Sequence, residues 1–186
     1  VGAILSMMSA PEGAAGSTTS GGTESILMAV KTALDWSRDH LPRAKAPEMV
    51  LPRAAHPAFD KAGHMMGIKV NRMATSSVDY RADLDAMAAA INDNTIMIMG
   101  SAPSYPYGIS DPIEEIAAMA EERGLWMHVD ACNGGCVFPF ARKLGYQFPE
   151  YDFSIPAVTS ISVDVHKLGY ANKGVSTLLF RDAGLK

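Results

Sequence analysis

Lys167 closes the run Ser160-Ile161-Ser162-Val163-Asp164-Val165-His166-Lys167. Such an alternating run, rich in β-branched residues, reads as a buried strand that stops where polar groups are needed. A lysine at a strand end, beside a histidine, can form a Schiff base with an aldehyde cofactor. The competing reading is a solvated lysine at a strand exit. Asp-x-His-Lys alone does not separate the two.

Two upstream stretches bear on that choice. Ser20-Gly21-Gly22-Thr23-Glu24-Ser25 leads into a helical pattern carried by Ile26, Val30, Ala33 and Leu34. Glycines at a helix mouth let backbone N–H groups approach an anion, and the helix dipole and the Thr23 hydroxyl add to the attraction. A capped helix after a mobile loop is the plainer alternative. Asp130 ends the apolar run Leu125-Trp126-Met127-His128-Val129 and precedes Ala131-Cys132-Asn133-Gly134-Gly135. A carboxylate in that position needs a partner. One good partner is a protonated pyridine nitrogen, which keeps the ring an electron sink. Capping of the following turn is the alternative. One cofactor, pyridoxal phosphate, accounts for the whole set. Lys167 would bind its aldehyde, Asp130 its ring nitrogen, Gly21, Gly22 and Thr23 its phosphate, and His56 would lie on the ring.

These residues need a scaffold that brings distant segments together. Strands are expected at Glu48–Pro52, Ile68–Met73, Thr95–Met99, Leu125–Asp130, Ser160 onward and Val175–Phe180. Between them, helices are expected from Ile26, from Pro57 to about Met66, from Asp79 to Ile91, from Asp111 to Arg123 and from Val137 to Leu144. In Asp111-Pro112-Ile113-Glu114, Asp111 reads as the cap and Pro112 as the first helical position. Residues 9–22 read as a Ser-, Ala-, Gly- and Thr-rich loop, and Ser101–Gly108 as a loop punctuated by two prolines. Strand and helix alternate with short connections, the pattern of a mainly parallel α/β sheet flanked by helices. Ligands of such sheets bind at the carboxyl ends of the strands. Gly21, Gly22, Thr23, His56, Asp130, His166 and Lys167 all fall there. No internal repeat and no second domain boundary is visible.

Composition narrows the function classes. The 186 residues carry a net charge of -4 and are 48% hydrophobic, as expected for a globular domain with a sizeable core. Nothing points to nucleic acid or an anionic membrane as a partner. Apolar runs are too short to span a membrane. The opening Val1-Gly2-Ala3-Ile4 lacks the basic flank of a signal peptide, and a cytoplasmic location is expected. Cys132 and Cys136 are the only cysteines; they read as reduced and buried, and no metal site is expected.

Three ordered motifs then resemble a known family. They are Thr19-Ser20-Gly21-Gly22-Thr23-Glu24-Ser25-Ile26, His128-Val129-Asp130-Ala131-Cys132-Asn133-Gly134-Gly135, and Ser160 to Tyr170 followed by Lys173-Gly174. Together they resemble the group II pyridoxal-phosphate decarboxylases. The Asp-Ala-Cys variant, Pro139-Phe140 before Lys143-Leu144-Gly145-Tyr146, and Gly-Tyr-Ala-x-Lys-Gly after Lys167 are similar to the sphingosine-1-phosphate lyase branch.

The resemblance implies a fold-type I (aspartate aminotransferase-like) large domain spanning 1–186. It also implies an amino-terminal segment and a carboxyl-terminal small domain that this sequence lacks, and a homodimer sharing its active sites. By motif, Lys167 is implied as the Schiff-base lysine, Asp130 as the ring-nitrogen partner and His56 as the stacking histidine. Ser20, Gly21, Gly22, Thr23 and His166 match phosphate-binding positions, and Asp164 joins the cofactor set. Tyr105 or Tyr107, and Lys173, fall where lyase relatives carry residues for proton transfer or substrate phosphate. The implied reaction is retro-aldol cleavage of a phosphorylated sphingoid base, a small-molecule substrate, to a fatty aldehyde and phosphoethanolamine. The alternative is amino-acid decarboxylation at the same site. Pro57 after His56, and Met65-Met66, depart from the family pattern without removing a reactive group.

Overall fold

The structure, a computed structural model, describes residues 1–186. Seven strands form one mixed sheet: β1 (Ala15–Thr19), β2 (Glu48–Pro52), β3 (Lys69–Met73), β4 (Thr95–Ser101), β5 (Trp126–Asp130), β6 (Ser160–Val163) and β7 (Ser176–Phe180). Their spatial order is β1-β7-β6-β5-β4-β2-β3. Five of them, β3, β2, β4, β5 and β6, run parallel. β7 is antiparallel to both β6 and β1. Helix α1 (Gly2–Met7) precedes the sheet, and five helices connect its strands: α2 (Gly22–His40), α3 (Ala58–Met66), α4 (Leu84–Ala90), α5 (Ile113–Arg123) and α6 (Phe138–Lys143). The expected α/β architecture is therefore the observed one.

The central strands explain themselves. Every residue of β4 and β5 is buried, because helices cover both faces of a parallel sheet. Their Met, Ile, Trp and Val side chains belong to a single core of 40 buried residues. α2 turns Ile26, Ala29, Val30, Ala33 and Leu34 inward, as its helical spacing demands.

Topology decides what meets at one edge. β1 and the five parallel strands all end on the same side of the sheet. β7 runs the other way, so its beginning lies on that side as well. Segments following β1, β2, β5 and β6, and the segment preceding β7, thus converge there.

Three expectations need correction. Residues 15–19 form a strand, not part of a loop. Ala-Gly-Ser-Thr-Thr is polar and small because β1 is an edge strand pressed against β7. A Cβ on Gly16 would stand 2.8 Å from Leu179 Cδ2 and 2.9 Å from the Leu178 carbonyl oxygen. The helix expected from Asp79 begins only at Leu84, capped by Asp83, which accepts the Ala86 amide at 3.0 Å. Before it, Thr75 bridges antiparallel to Ala82, so the chain turns there. Asp111 does not cap α5. Its buried carboxylate accepts the Ala82 amide at 2.9 Å and the Ser101 amide at 2.8 Å, and so ties the 75–82 turn to the end of β4.

Arg72, on the edge strand β3, organises the loop that carries His56. Its Nη1 donates to the carbonyls of Arg53 and Ala55, both at 2.9 Å, and its Nη2 donates to the His56 carbonyl at 3.3 Å. Nη2 also meets Asp60 Oδ2 at 2.6 Å. The Arg72 hydrogen bond holds the Asp60 carboxyl below its usual range.

Two predictions come from these tethers. Arg72→Lys cannot span the carbonyl fan, because an ammonium lacks the planar fork of a guanidinium. It is expected to cost about 1–3 kcal/mol and to speed amide exchange across residues 53–57, measured by hydrogen exchange. Burial pushes the Asp111 carboxyl up to about 6, against the pull of its two amide donors. Between the unfolded value and about 6 the folded chain holds a proton the unfolded chain has lost. Stability is therefore expected to fall as pH rises through that window, and Asp111→Asn should flatten the slope in denaturant titrations.

Candidate active site

At the shared edge lies a cavity of about 500 Å³. Its wall gathers Ser20–Glu24 from the mouth of α2, His56 from beyond β2, Asp130 from the end of β5 and Cys132 just past it, Asp164, His166 and Lys167 from beyond β6, and Lys173 with Gly174 from before β7. Ten of the twelve residues singled out in the sequence line it. Tyr105 and Tyr107 do not. Tyr105 packs its ring edge-on against His56, with centroids 5.1 Å apart. Tyr107 instead lies against Tyr80 at 4.9 Å. Both rings are about half exposed.

The lysine is already paired. Lys167 Nζ stands 3.0 Å from Asp164 Oδ2. Burial pulls the Lys167 pKa down, but the hydrogen bond to Asp164 and the nearby carboxylates outweigh it and hold the pKa above its ordinary value. Asp164 is buried, and its Oδ1 has no hydrogen-bond partner. A buried carboxylate oxygen without a donor is costly, and it marks the place where a ligand's donor fits.

Asp130 shows a similar imbalance. Its Oδ1 accepts the Cys132 amide at 3.1 Å and the Ser162 hydroxyl at 3.3 Å. No donor of the chain bonds Oδ2, and the residue lines the cavity. The carboxylate thus offers one free oxygen to whatever enters.

The mouth of α2 supplies anion-binding chemistry. Ser25 is the first helical residue whose amide turns back, bonding the Gly21 carbonyl at 3.0 Å. The amides of the turn before it lack intrahelical acceptors. Gly22 must be glycine: a Cβ there would stand 2.7 Å from Asp164 Oδ2 and 3.0 Å from Cys132 Sγ. Glu24, which the sequence reading passed over, accepts both the amide and the hydroxyl of Ser20 at 2.6 Å. Those two bonds hold its carboxyl below the usual range. The interval from Ser20 to Glu24 is the signal that was available for it, because a carboxylate one turn into a helix reaches back to the entering amide.

The histidines are oriented by the backbone. His56 Nδ1 accepts the Ala58 amide at 3.1 Å, so a neutral ring carries its proton on Nε2. His166 Nδ1 donates to the Val175 carbonyl at 2.9 Å, which leaves Nε2 free on the Gly21 side, with Cε1 3.8 Å from where a Gly21 Cβ would sit. Cys132 was missed as a wall residue. Burial pushes its thiol well up, so it serves as an uncharged surface rather than a nucleophile.

A covalent amine, a carboxylate with one free oxygen and a glycine-lined helix mouth, all on one cavity, match the aldehyde, ring nitrogen and phosphate of pyridoxal phosphate. The comparisons agree. The model of the pyridoxal-dependent decarboxylase conserved domain matches residues 1–185. Sphingosine-1-phosphate lyase of Arabidopsis thaliana is 54% identical over 170 residues, covering 90% of this chain and 30% of that protein. Its counterpart in Dictyostelium discoideum is 48% identical, covering 98% of this chain and 34% of that protein. The chain thus spans about a third of the length of these curated relatives. Among solved structures, sphingosine-1-phosphate lyase of Burkholderia pseudomallei superposes with a TM-score of 0.95 at 40% identity, covering all of this chain and 44% of that one. Glutamate decarboxylase of Lactobacillus brevis, at 24% identity and a TM-score of 0.89, shares the fold. The chain belongs to the pyridoxal-dependent decarboxylase family.

Proposed function

We propose that this chain is the cofactor-binding large domain of a carbon–carbon lyase that cleaves a phosphorylated sphingoid base to a fatty aldehyde and phosphoethanolamine. The observation that carries the cofactor chemistry is the meeting of Lys167, the free oxygen of Asp130 and the α2 mouth on one cavity. The names of the relatives at 48–54% identity favour the lyase over the decarboxylase.

When bound, pyridoxal phosphate supplies an aldehyde for covalent attachment and a conjugated ring that stabilises a carbanion. The chain's residues do the rest. Lys167 Nζ provides the attachment point, and it must be neutral to act. Asp164 Oδ2, 3.0 Å away, is the group placed to hold the proton it gives up. Asp130 Oδ2 would keep a ring nitrogen protonated by accepting from it. Gly21, Gly22 and Thr23 bind the phosphate through the amides at the helix mouth and the Thr23 hydroxyl, while Ser20, whose amide and hydroxyl are taken by Glu24, and His166 stand beside them on the same wall. His56, its ring direction set by the Ala58 amide, would stack on the cofactor ring. Tyr105 is the better placed tyrosine for moving a proton near the substrate, because it touches His56 and Tyr107 does not. Lys173, exposed on the rim, meets a substrate phosphate.

A homodimer is part of this reading. Phe140, Leu144, Leu168 and Tyr170 leave large apolar surfaces exposed beside the Lys167 loop, as a subunit contact requires. A cytoplasmic location fits two buried cysteines without a disulfide. No helix is long and apolar enough to cross a membrane.

The test is product analysis on the full-length protein loaded with pyridoxal phosphate. Given sphingosine 1-phosphate, it is expected to release a long-chain aldehyde and phosphoethanolamine. Carbon dioxide and an amine from amino acids, with sphingosine 1-phosphate left intact, would move it to the decarboxylases. A second prediction concerns pH. Asp164→Asn removes the hydrogen-bonded carboxylate that raises the Lys167 pKa, while burial, which lowers it, stays. Capture of the aldehyde, followed by absorbance, should then extend to lower pH than in the wild type.

A further inference from the structure

Behind Asp130 a polar chain runs into the sheet. Trp126 Nε1 lies 2.9 Å from Ser160 Oγ, and Ser160 Oγ lies 2.8 Å from His128 Nδ1. His128 Nε2 lies 3.2 Å from Ser162 Oγ, and Ser162 Oγ lies 3.3 Å from Asp130 Oδ1. Trp126, His128, Ser160 and Ser162 are all completely buried. The register explains the alignment. His128 faces Ser160 and Asp130 faces Ser162 across the parallel pair β5–β6, so alternate residues of both strands share one face.

The direction of every bond follows from its donor. An indole N–H only donates, so Ser160 Oγ accepts from Trp126. A carboxylate only accepts, so the one Ser162 proton goes to Asp130, Ser162 Oγ accepts from His128 Nε2–H, and Nδ1 is left as the lone pair that takes the Ser160 proton. Burial pushes the His128 pKa down to about 4, so the ring is neutral at physiological pH and its single proton sits on Nε2. Phe59 closes the far side of the imidazole, with ring centroids 6.0 Å apart.

We infer that His128 is a positioning residue whose Nε2–H tautomer, held between Ser160 on one side and Ser162 on the other, commits the Ser162 hydroxyl to Asp130 Oδ1 and leaves Oδ2 as the single oxygen presented to the cavity. The role rests on reading Asp130 as the partner of the cofactor ring nitrogen. His128 touches neither cofactor nor substrate. It acts by fixing the rotation of the Asp130 carboxylate before anything binds.

The experiment uses the full-length protein labelled with [15N]histidine, with and without pyridoxal phosphate. In the wild type, His128 is expected as the neutral Nε2–H tautomer in both states. Ser160→Ala removes the donor to Nδ1 and should give a mixture of tautomers. Trp126→Phe acts one bond further away, frees the Ser160 hydroxyl to turn, and should shift the same signal by a smaller amount. Ser162→Ala should weaken pyridoxal phosphate binding about tenfold or more, measured by absorbance titration, with Ser162→Thr restoring most of it. A wild-type His128 protonated on Nδ1, or tautomers unmoved in folded Ser160→Ala, would overturn the relay. Unchanged cofactor affinity in folded Ser162→Ala would overturn its link to Asp130. Failure of the wild type to bind pyridoxal phosphate would instead sink the function reading, and the Ser160→Ala tautomer would still decide the relay.

Discussion

Two buried carboxylates, Asp130 at the end of β5 and Asp164 just past β6, set the terms for everything around them. A charge held out of water is tolerated only with partners. Each has one oxygen served by the chain. Asp130 Oδ1 takes the Cys132 amide and the Ser162 hydroxyl, and Asp164 Oδ2 takes Lys167. Each keeps one oxygen unserved. For Asp164 Oδ1, buried without a donor, that state is unfavourable for folding alone and makes sense as preparation for a ligand with a matching donor, while Asp130 faces the cavity. The sheet topology then follows from need: neighbouring strands must end together, and the reversed β7 must bring Lys173 and Gly174 to the same edge.

Much of this was legible in the sequence because local chemistry and global position coincided. The apolar runs at Thr95 and Leu125 are strands because they are buried on both faces, and their polar ends mark the ligand edge. Asp-x-His-Lys and Gly-Gly-Thr were ambiguous singly. They became informative jointly because a parallel sheet gathers strand ends whatever their separation along the chain.

What stayed hidden has a physical reason in each case. β1 was unreadable because its Gly and Ser residues answer to the close approach of Leu178 and Leu179, a contact more than 160 residues away in the chain. Asp111 mimicked a helix cap because the local pattern for capping is the same whether the side chain turns to its own helix or to Ser101. The His128 relay was visible only as an alternation of Trp, His and Asp facing Ser and Ser. Which face those residues share, and which strand they meet, is decided by β5–β6 pairing. The choice between Tyr105 and Tyr107 likewise needed the loop to be folded before His56 could discriminate between them.

The central claim is that these strand ends build one covalent cofactor site on Lys167. The most direct measurement is borohydride reduction of the full-length protein in the presence of pyridoxal phosphate, followed by proteolysis and mass mapping. The account predicts a single phosphopyridoxyl mass on the peptide containing Lys167, absent in Lys167→Ala. Label on another lysine, with Lys167 unmodified, would contradict it.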